Sequence, residues 1–260
     1  MYKYILKHMN NELSEELEKK NLSLVEDNFD GESSFYIYTD ERIDDFLQNM
    51  KVRFELEKLE STDWQNYWKR FLKPSMLTEG VSCYYDEKEK ISAPHSIKLI
   101  PAMAFGTGTH PTTRLSSELI RGSIEGRSFL DVGCGSGILS ILAFVSGAEE
   151  IFSFDNDPVA VLNAKENMQL NGGMLYDRLW CGDFHSLKEN VLFDVVCANI
   201  VSSVLYEINH SLLEHAISDI ILSGIMKDEI DEFMNTFNFG DFNVDNIIYE
   251  NNWAAMRLKK

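Results

Sequence analysis

Residues 2–9 (YKYILKHM) alternate apolar and polar side chains, the period of a strand with one buried face. Residues 11–20 (NELSEELEKK) change to helix composition behind an Asn cap. Residues 22–29 suit a strand, Asp30-Gly31 signals a hairpin turn, and 34–39 (SFYIYT) supply the second arm. Asp40 is placed to cap a helix over 41–49, and 51–58 alternate again. The predicted order, βαββαβ, is the split-βαβ plan of a small α+β domain of ferredoxin-like type. Residues 61–74 (STDWQNYWKRFLKP) then read as a connecting helix. Trp64, Trp68 and Phe71 recur along it at helical spacing, either as a packing stripe between two domains or as an aromatic hinge.

From residue 112 the pattern changes. Short apolar runs at 129–132 (FLDV), 151–155 (IFSFD), 178–182 (RLWCG), 194–199 (DVVCAN) and 219–224 (DIILSG) predict strands. Helices are predicted over 136–146, from Pro158 to about 170, and over 201–215 and 227–237. Near-continuous apolar strands separated by helices imply an α/β domain whose parallel sheet is covered on both faces. The chain therefore divides into an N-terminal domain (1–60), a linker helix (61–75) and an α/β domain (76–260).

Composition narrows the partners. Lys and Arg number 24 against 42 Asp and Glu, a net charge of −18. Such a surface disfavours direct nucleic-acid binding and suits a cationic partner, although acidity can also serve solubility alone. No apolar run reaches membrane-spanning length, and the N-terminus turns polar too early for a signal peptide. Cys83, Cys134, Cys181 and Cys197 form no CxxC pair and have no His at zinc-ligand spacing. A cytoplasmic protein with reduced thiols and no bound metal is expected, with a monomer as the default.

The candidate chemistry starts at LDVGCGSGIL (130–139), a glycine turn between a strand and a helix. Gly133, Gly135 and Gly137 let the backbone approach a ligand. A dinucleotide fingerprint needs G-x-G-x-x-G, but here the third glycine comes one residue early and Ile138 follows. Asp131 precedes the turn, where a carboxylate would repel a pyrophosphate but could accept hydrogen bonds from an ammonium group. That asymmetry favours S-adenosylmethionine over a nicotinamide dinucleotide. Asp155, ending the next strand, can accept both hydroxyls of a ribose. Asp157, before Pro158, reads as a helix cap. Asp183 either meets the adenine edge or is a turn aspartate.

Asn199 ends the fourth strand, where open α/β sheets bind ligands. Its amide oxygen could hold a substrate amine, or it could cap the following helix. The stretch 100–120 (IPAMAFGTGTHPTTRLSSELI) is rich in hydroxyls and glycines before a helix. It predicts a turn capped by Thr112 or Thr113, or else a flexible lid. His110 within it reads as structural.

Taken together, AFGTGTHPTTRL, DVGCGSGIL, FDNDP, CANI and LSGI resemble the PrmA family, along about residues 62–258. The family's members methylate ribosomal protein eleven of the large subunit. The resemblance implies a class I, Rossmann-like methyltransferase fold with a mostly parallel seven-stranded sheet, and a small N-terminal domain that recognises substrate. It implies S-adenosylmethionine as cofactor, with S-adenosylhomocysteine as product. It places Thr113, Gly133, Asp155 and Asn199 on cofactor-binding positions, and it implies lysine and N-terminal amines of one basic ribosomal protein as acceptors. With the residue-level reading, the expected cofactor set is Thr113, Asp131, Gly133, Gly135, Asp155, Asp183 and Asn199, with Asn199 also the catalytic candidate. Ala102 departs from the family, which carries glycine there. Another protein lysine or a small molecule remains the alternative acceptor.

Overall fold

The computed structural model describes residues 2–6, 13, 17, 24–29, 32–39, 41–58, 72–100, 105–172, 178–187 and 191–260. They form two units, residues 1–71 and 72–260, each described by itself.

The first unit contains β1 (Tyr2–Leu6), β2 (Leu24–Phe29), β3 (Glu32–Thr39), α1 (Asp44–Asn49) and β4 (Phe54–Lys58). Its sheet runs β2-β3-β1-β4 and every pairing is antiparallel, the arrangement a split-βαβ chain produces. Phe29 pairs with Glu32, and the turn expected at 30 and 31 lies outside the described residues, as does most of 7–23. Leu13 and Leu17 of the expected 11–20 helix are helical and buried, and with Tyr4, Leu6, Ile37, Leu47 and Val52 they make the unit's core. The second helix starts later than the sequence predicts. Ile43, not Asp40, stands at its N-cap. The buried Tyr4 hydroxyl sets this start, accepting the Ile43 N–H at 2.9 Å and donating to Asp44 at 2.9 Å. The helix expected at 61–74 falls on residues outside those described, apart from Leu72–Pro74, which are not helical.

The second unit opens with three four-residue strands, β5 (Ser75–Thr78), β6 (Val81–Tyr84) and β7 (His95–Lys98), which form a small sheet of their own. After them come α2 (Pro111–Arg121), β8 (Ser128–Val132), α3 (Ile138–Val145), β9 (Glu150–Asp155), α4 (Pro158–Leu170), β10 (Leu179–Cys181) and β11 (Phe193–Asn199). The chain continues through α5 (Ser202–His215), β12 (Ala216–Met226), α6 (Ile230–Thr236), β13 (Asn243–Glu250) and β14 (Trp253–Lys259). The seven-stranded sheet runs β10-β9-β8-β11-β12-β14-β13. Its first five strands are parallel, and β14 runs against β12 and β13.

Alternation along the central strands divides the core in two. Phe129, Val195 and Cys197 face the cluster holding α2, α3 and α4 residues, together with Leu77, Val81, Cys83 and Ile97 of the small sheet. Leu130, Val132, Val196 and Ala198 face the other cluster, with Leu205 and Leu212 of α5 and Phe233 of α6. A sheet covered on both faces explains why these strands read as unbroken apolar runs. Strand order reverses between β8 and β11, and the site forms beyond their carboxyl ends.

Candidate active site

The glycine turn leaves β8 at Val132 and enters α3 at Ile138. Gly135 has φ of +54°, and a Cβ there would lie 2.5 Å from the Phe105 carbonyl oxygen. Only glycine fits this approach. Its N–H donates to Asp155 Oδ2 at 2.8 Å, while Asp155 Oδ1 accepts the N–H of Asp157 at 2.9 Å. The neighbouring strand end is thereby locked to the turn. Asp157 caps α4, accepting from Val159 N–H.

Asp131 lies behind this turn rather than in the cavity wall. Its side chain is 1% exposed and accepts from the Ser140 hydroxyl at 2.5 Å, and Ser140 also bonds Ser153. Burial, with a smaller contribution from the Asp155 charge, pushes its carboxyl up to about 7.

The segment expected as a lid is tied down. The carbonyls of Phe105 and Gly106 accept from the backbone and hydroxyl of Ser136 at 2.8 and 2.5 Å. Thr107 O accepts from Tyr85, Gly108 O from Ser75 at 2.9 Å, and Thr109 O from Arg114. Five successive carbonyls are thus held, three of them by side chains of the small sheet, its flank and α2. The chain just upstream is held as well. Along α4 and its C-cap, Asn163, Asn167 and Asn171 stand four apart, on one helix face. Asn167 accepts the Ile100 N–H at 2.7 Å and donates to Ser136 O at 2.8 Å. Asn171 accepts from Lys98 N–H at 2.9 Å and donates to its carbonyl at 2.7 Å. Ala102 lies outside the described residues.

His110, not Thr112 or Thr113, caps α2, its Nδ1 accepting the Thr112 N–H. Pro111 follows at the first helical position, which needs no donor. Burial, reinforced by the Arg114 charge, holds the His110 imidazole below its ordinary range. Its ring meets Phe105 at 5.2 Å and Trp253 at 5.0 Å, both edge-on. Thr113 is fully buried one position further on, and its hydroxyl has no partner among the described residues.

Asn199 ends β11 and does not cap α5, whose N-cap is Val201. Asn199 pairs in register with Ser223 of β12, whose hydroxyl donates to Thr112 O at 3.3 Å. Asn199 Oδ1 is buried and has no partner among the described residues. Gly224 makes room for this turn of chain, since a Cβ there would sit 2.2 Å from Ile200 O.

A cavity of about 530 Å³ joins these parts. Gly133, Gly135, Asp155, Asp183 and Asn199 line it, whereas Asp131 and Thr113 do not. Asp183 lines the cavity and caps a short turn through His185 N–H at 2.8 Å, as the turn reading expects. Sequence reasoning missed Trp253 and Gly224 as lining residues, and read His110 as structural only. Glycine inside the otherwise apolar 219–226 strand was the available signal for Gly224.

The cavity suits S-adenosylmethionine. Its size lies in the range of small-molecule sites. Phe154, Ala160 and Phe184 give an apolar wall, Asp155 and Asp183 give carboxylates, and Gly133 and Gly135 bring backbone to the cavity wall.

Strand order, glycine turn and switch-point cavity together define a class I, S-adenosylmethionine-dependent methyltransferase. The family described as ribosomal protein L11 methyltransferase (PrmA) matches residues 6–260. A ribosomal protein L11 methyltransferase of Streptococcus pneumoniae (strain 70585) is 35% identical over 224 residues, covering 83% of this chain and 70% of the relative. The crystal structure of ribosomal protein L11 methylase from Lactobacillus delbrueckii subsp. bulgaricus is similar with a TM-score of 0.61 and 25% identity, over 72% of this chain and 97% of that one. The M. jannaschii tRNA m1G37 methyltransferase shares the fold alone, with a TM-score of 0.50 and 15% identity over 100% of this chain and 99% of that one. The chain belongs to the PrmA family of ribosomal protein L11 methyltransferases.

Proposed function

We propose that this protein methylates amines of ribosomal protein L11, the lysine side chains and N-terminal amine, with Asn199 as the residue that holds the acceptor. The observation carrying this reading is the buried, unpartnered Oδ1 of Asn199 at a cavity-lining strand end. An unsatisfied acceptor at such a position costs stability unless something completes it, and an amine N–H does so.

S-adenosylmethionine, when bound, supplies an electrophilic methyl group on a sulfonium. Asp155 would hold its ribose hydroxyls, Asp183 its adenine edge, and Gly133 and Gly135 its approach along the backbone. Asp131 would act on that end from behind the turn, through Ser140 and the placement of the glycines, and Thr113 from beneath the start of α2.

A lysine amine is mostly protonated near neutrality, with a reference pKa of about 10.4. The apolar lining from Val132, Ile200, Val201, Val204 and Ile208 disfavours the charged form. Asn199 Oδ1 accepts one N–H and aims the lone pair. His110 is no general base in this arrangement. Its Nδ1 accepts from Thr112, so the neutral ring carries its proton on Nε2. The proton therefore leaves to solvent before attack. Phe105, His110 and Trp253 form the aromatic side of the acceptor end.

The N-terminal domain expected at residues 1–60 is read as the substrate-recognition domain, joined through 61–75 to the catalytic domain of 76–260. The acidic chain suits a basic ribosomal protein as partner and a cytoplasmic setting, without direct contact to nucleic acid. Among the described residues no helix is long and apolar enough to cross a membrane. Mass analysis of L11 after incubation with enzyme and S-adenosylmethionine tests the reading. Mass added in steps of one methyl on lysine or N-terminal peptides supports it, and methyl groups on other side chains only would overturn it.

A further inference from the structure

We propose that Arg114 and Glu250 are positioning residues for the reaction, one ion pair setting the spacing of the His110 and Trp253 rings at the acceptor end of the cavity. The proposal rests on the acceptor-end reading given above.

Two segments distant in sequence, the loop running into α2 and the end of β13, meet at the Arg114 guanidinium. Nε donates to both oxygens of Glu250, at 3.0 and 3.1 Å, and a terminal nitrogen adds a third contact to the same carboxylate. The other terminal nitrogen donates to Thr109 O. Thr109 immediately precedes His110. Glu250 ends β13 and pairs directly across the hairpin with Trp253. The intervening turn carries Asn251 with φ of +53°, and Asn252 O accepts from Lys227 N–H at 2.8 Å. One planar fork thus holds the residue before one ring and the residue opposite the other. Those rings stand 5.0 Å apart and both line the cavity.

The pair is more than half shielded, with Arg114 at 26% and Glu250 at 33% side-chain exposure. Bidentate geometry of this kind fixes orientation as well as attraction, and lysine cannot reproduce it. Neither residue lines the cavity, so neither touches substrate. Their effect reaches the acceptor only through the two rings. A shift of a fraction of an ångström there changes attack geometry without disturbing the Gly135–Asp155 end.

The test uses full-length protein labelled with 5-fluorotryptophan and variants Glu250→Gln, Arg114→Lys and Arg114→Gln. The Trp253 fluorine resonance, assigned with Trp253→Phe, is expected to move in Glu250→Gln and Arg114→Gln, while that of Trp180 stays. With L11 as acceptor, kcat should fall about tenfold while S-adenosylhomocysteine affinity changes less than about threefold. Arg114→Lys should not rescue. In a Trp253→Ala background, Glu250→Gln should cost less than about twofold, since the two act as one unit. An unmoved Trp253 resonance, additive losses, or equal loss of S-adenosylhomocysteine binding would overturn the proposal. Wild-type enzyme that leaves L11 unmethylated would instead remove the acceptor reading, and the fluorine resonance would still decide whether the pair places Trp253.

Discussion

The backbone N–H of Gly135 donates to the Asp155 carboxylate across 2.8 Å, tying the turn after β8 to the end of β9. That bond occupies one Asp155 oxygen and orients the group along the cavity wall. Asp155→Ala should weaken S-adenosylhomocysteine binding by about 10- to 100-fold, the range of one or two hydrogen bonds to a charged group. Asp155→Asn should fall between, because its amide still accepts one bond. Calorimetric titration checks this, and affinity unchanged in Asp155→Ala would remove the residue from the cofactor site.

Asp131 gives a pH signature. Its folded-state pKa of about 7 lies above its ordinary value of 3.8. The folded protein therefore keeps the proton longer than the unfolded chain does. Its favourable contribution is complete below about 3.8 and is lost progressively as pH rises to about 7, for a total on the order of 4 kcal/mol. Asp131→Asn keeps an acceptor for Ser140 and never ionises. The variant should be more stable than wild type at pH 8, with the gain shrinking toward pH 4. Denaturant melts at both pH values measure it, and a gain of equal size at both would refute the buried-carboxyl account.

Asn167 is the middle rung of the asparagine ladder. Asn167→Ala strands the Ile100 N–H and the Ser136 carbonyl, a cost of about 2–4 kcal/mol. At about 2–4 °C per kcal/mol for a unit this size, Tm should drop by roughly 5–15 °C. Thermal unfolding by circular dichroism reads it. A drop under about 2 °C would show that the ladder does not hold the segment before the Phe105–Thr109 loop.

The α/β half of the chain was legible because buried parallel strands carry apolar runs and Pro158 and Asp157 mark a helix start. Strands β5 to β7 escaped because four residues are too few to show a period. Strand β13 (NVDNIIYE) escaped because its edge position leaves both faces partly wet. In the first unit, Tyr4 overrode the cap signal at Asp40, a tertiary contact that no local pattern contains. Of the residues lining the cavity, Gly133, Gly135, Asp155, Asp183 and Asn199 stand out in the sequence at strand ends and turns. The Phe105–His110–Trp253 wall was not, since its members come from a loop and a hairpin at opposite ends of the unit. Nor did two flanking glycines reveal that the 105–109 loop would be anchored at every carbonyl. The partners on Ser75, Tyr85 and Ser136 lie far from it in sequence.

The measurement that bears most directly on the central claim is transfer of label from methyl-labelled S-adenosylmethionine to purified L11 by wild type and by Asn199→Ala. Wild type should label L11, and Asn199→Ala should lose about 100-fold or more in kcat while binding S-adenosylhomocysteine within about threefold of wild type. Equal labelling by both proteins would contradict the assignment of Asn199 as the residue that presents the amine, and none by wild type would contradict L11 as the acceptor.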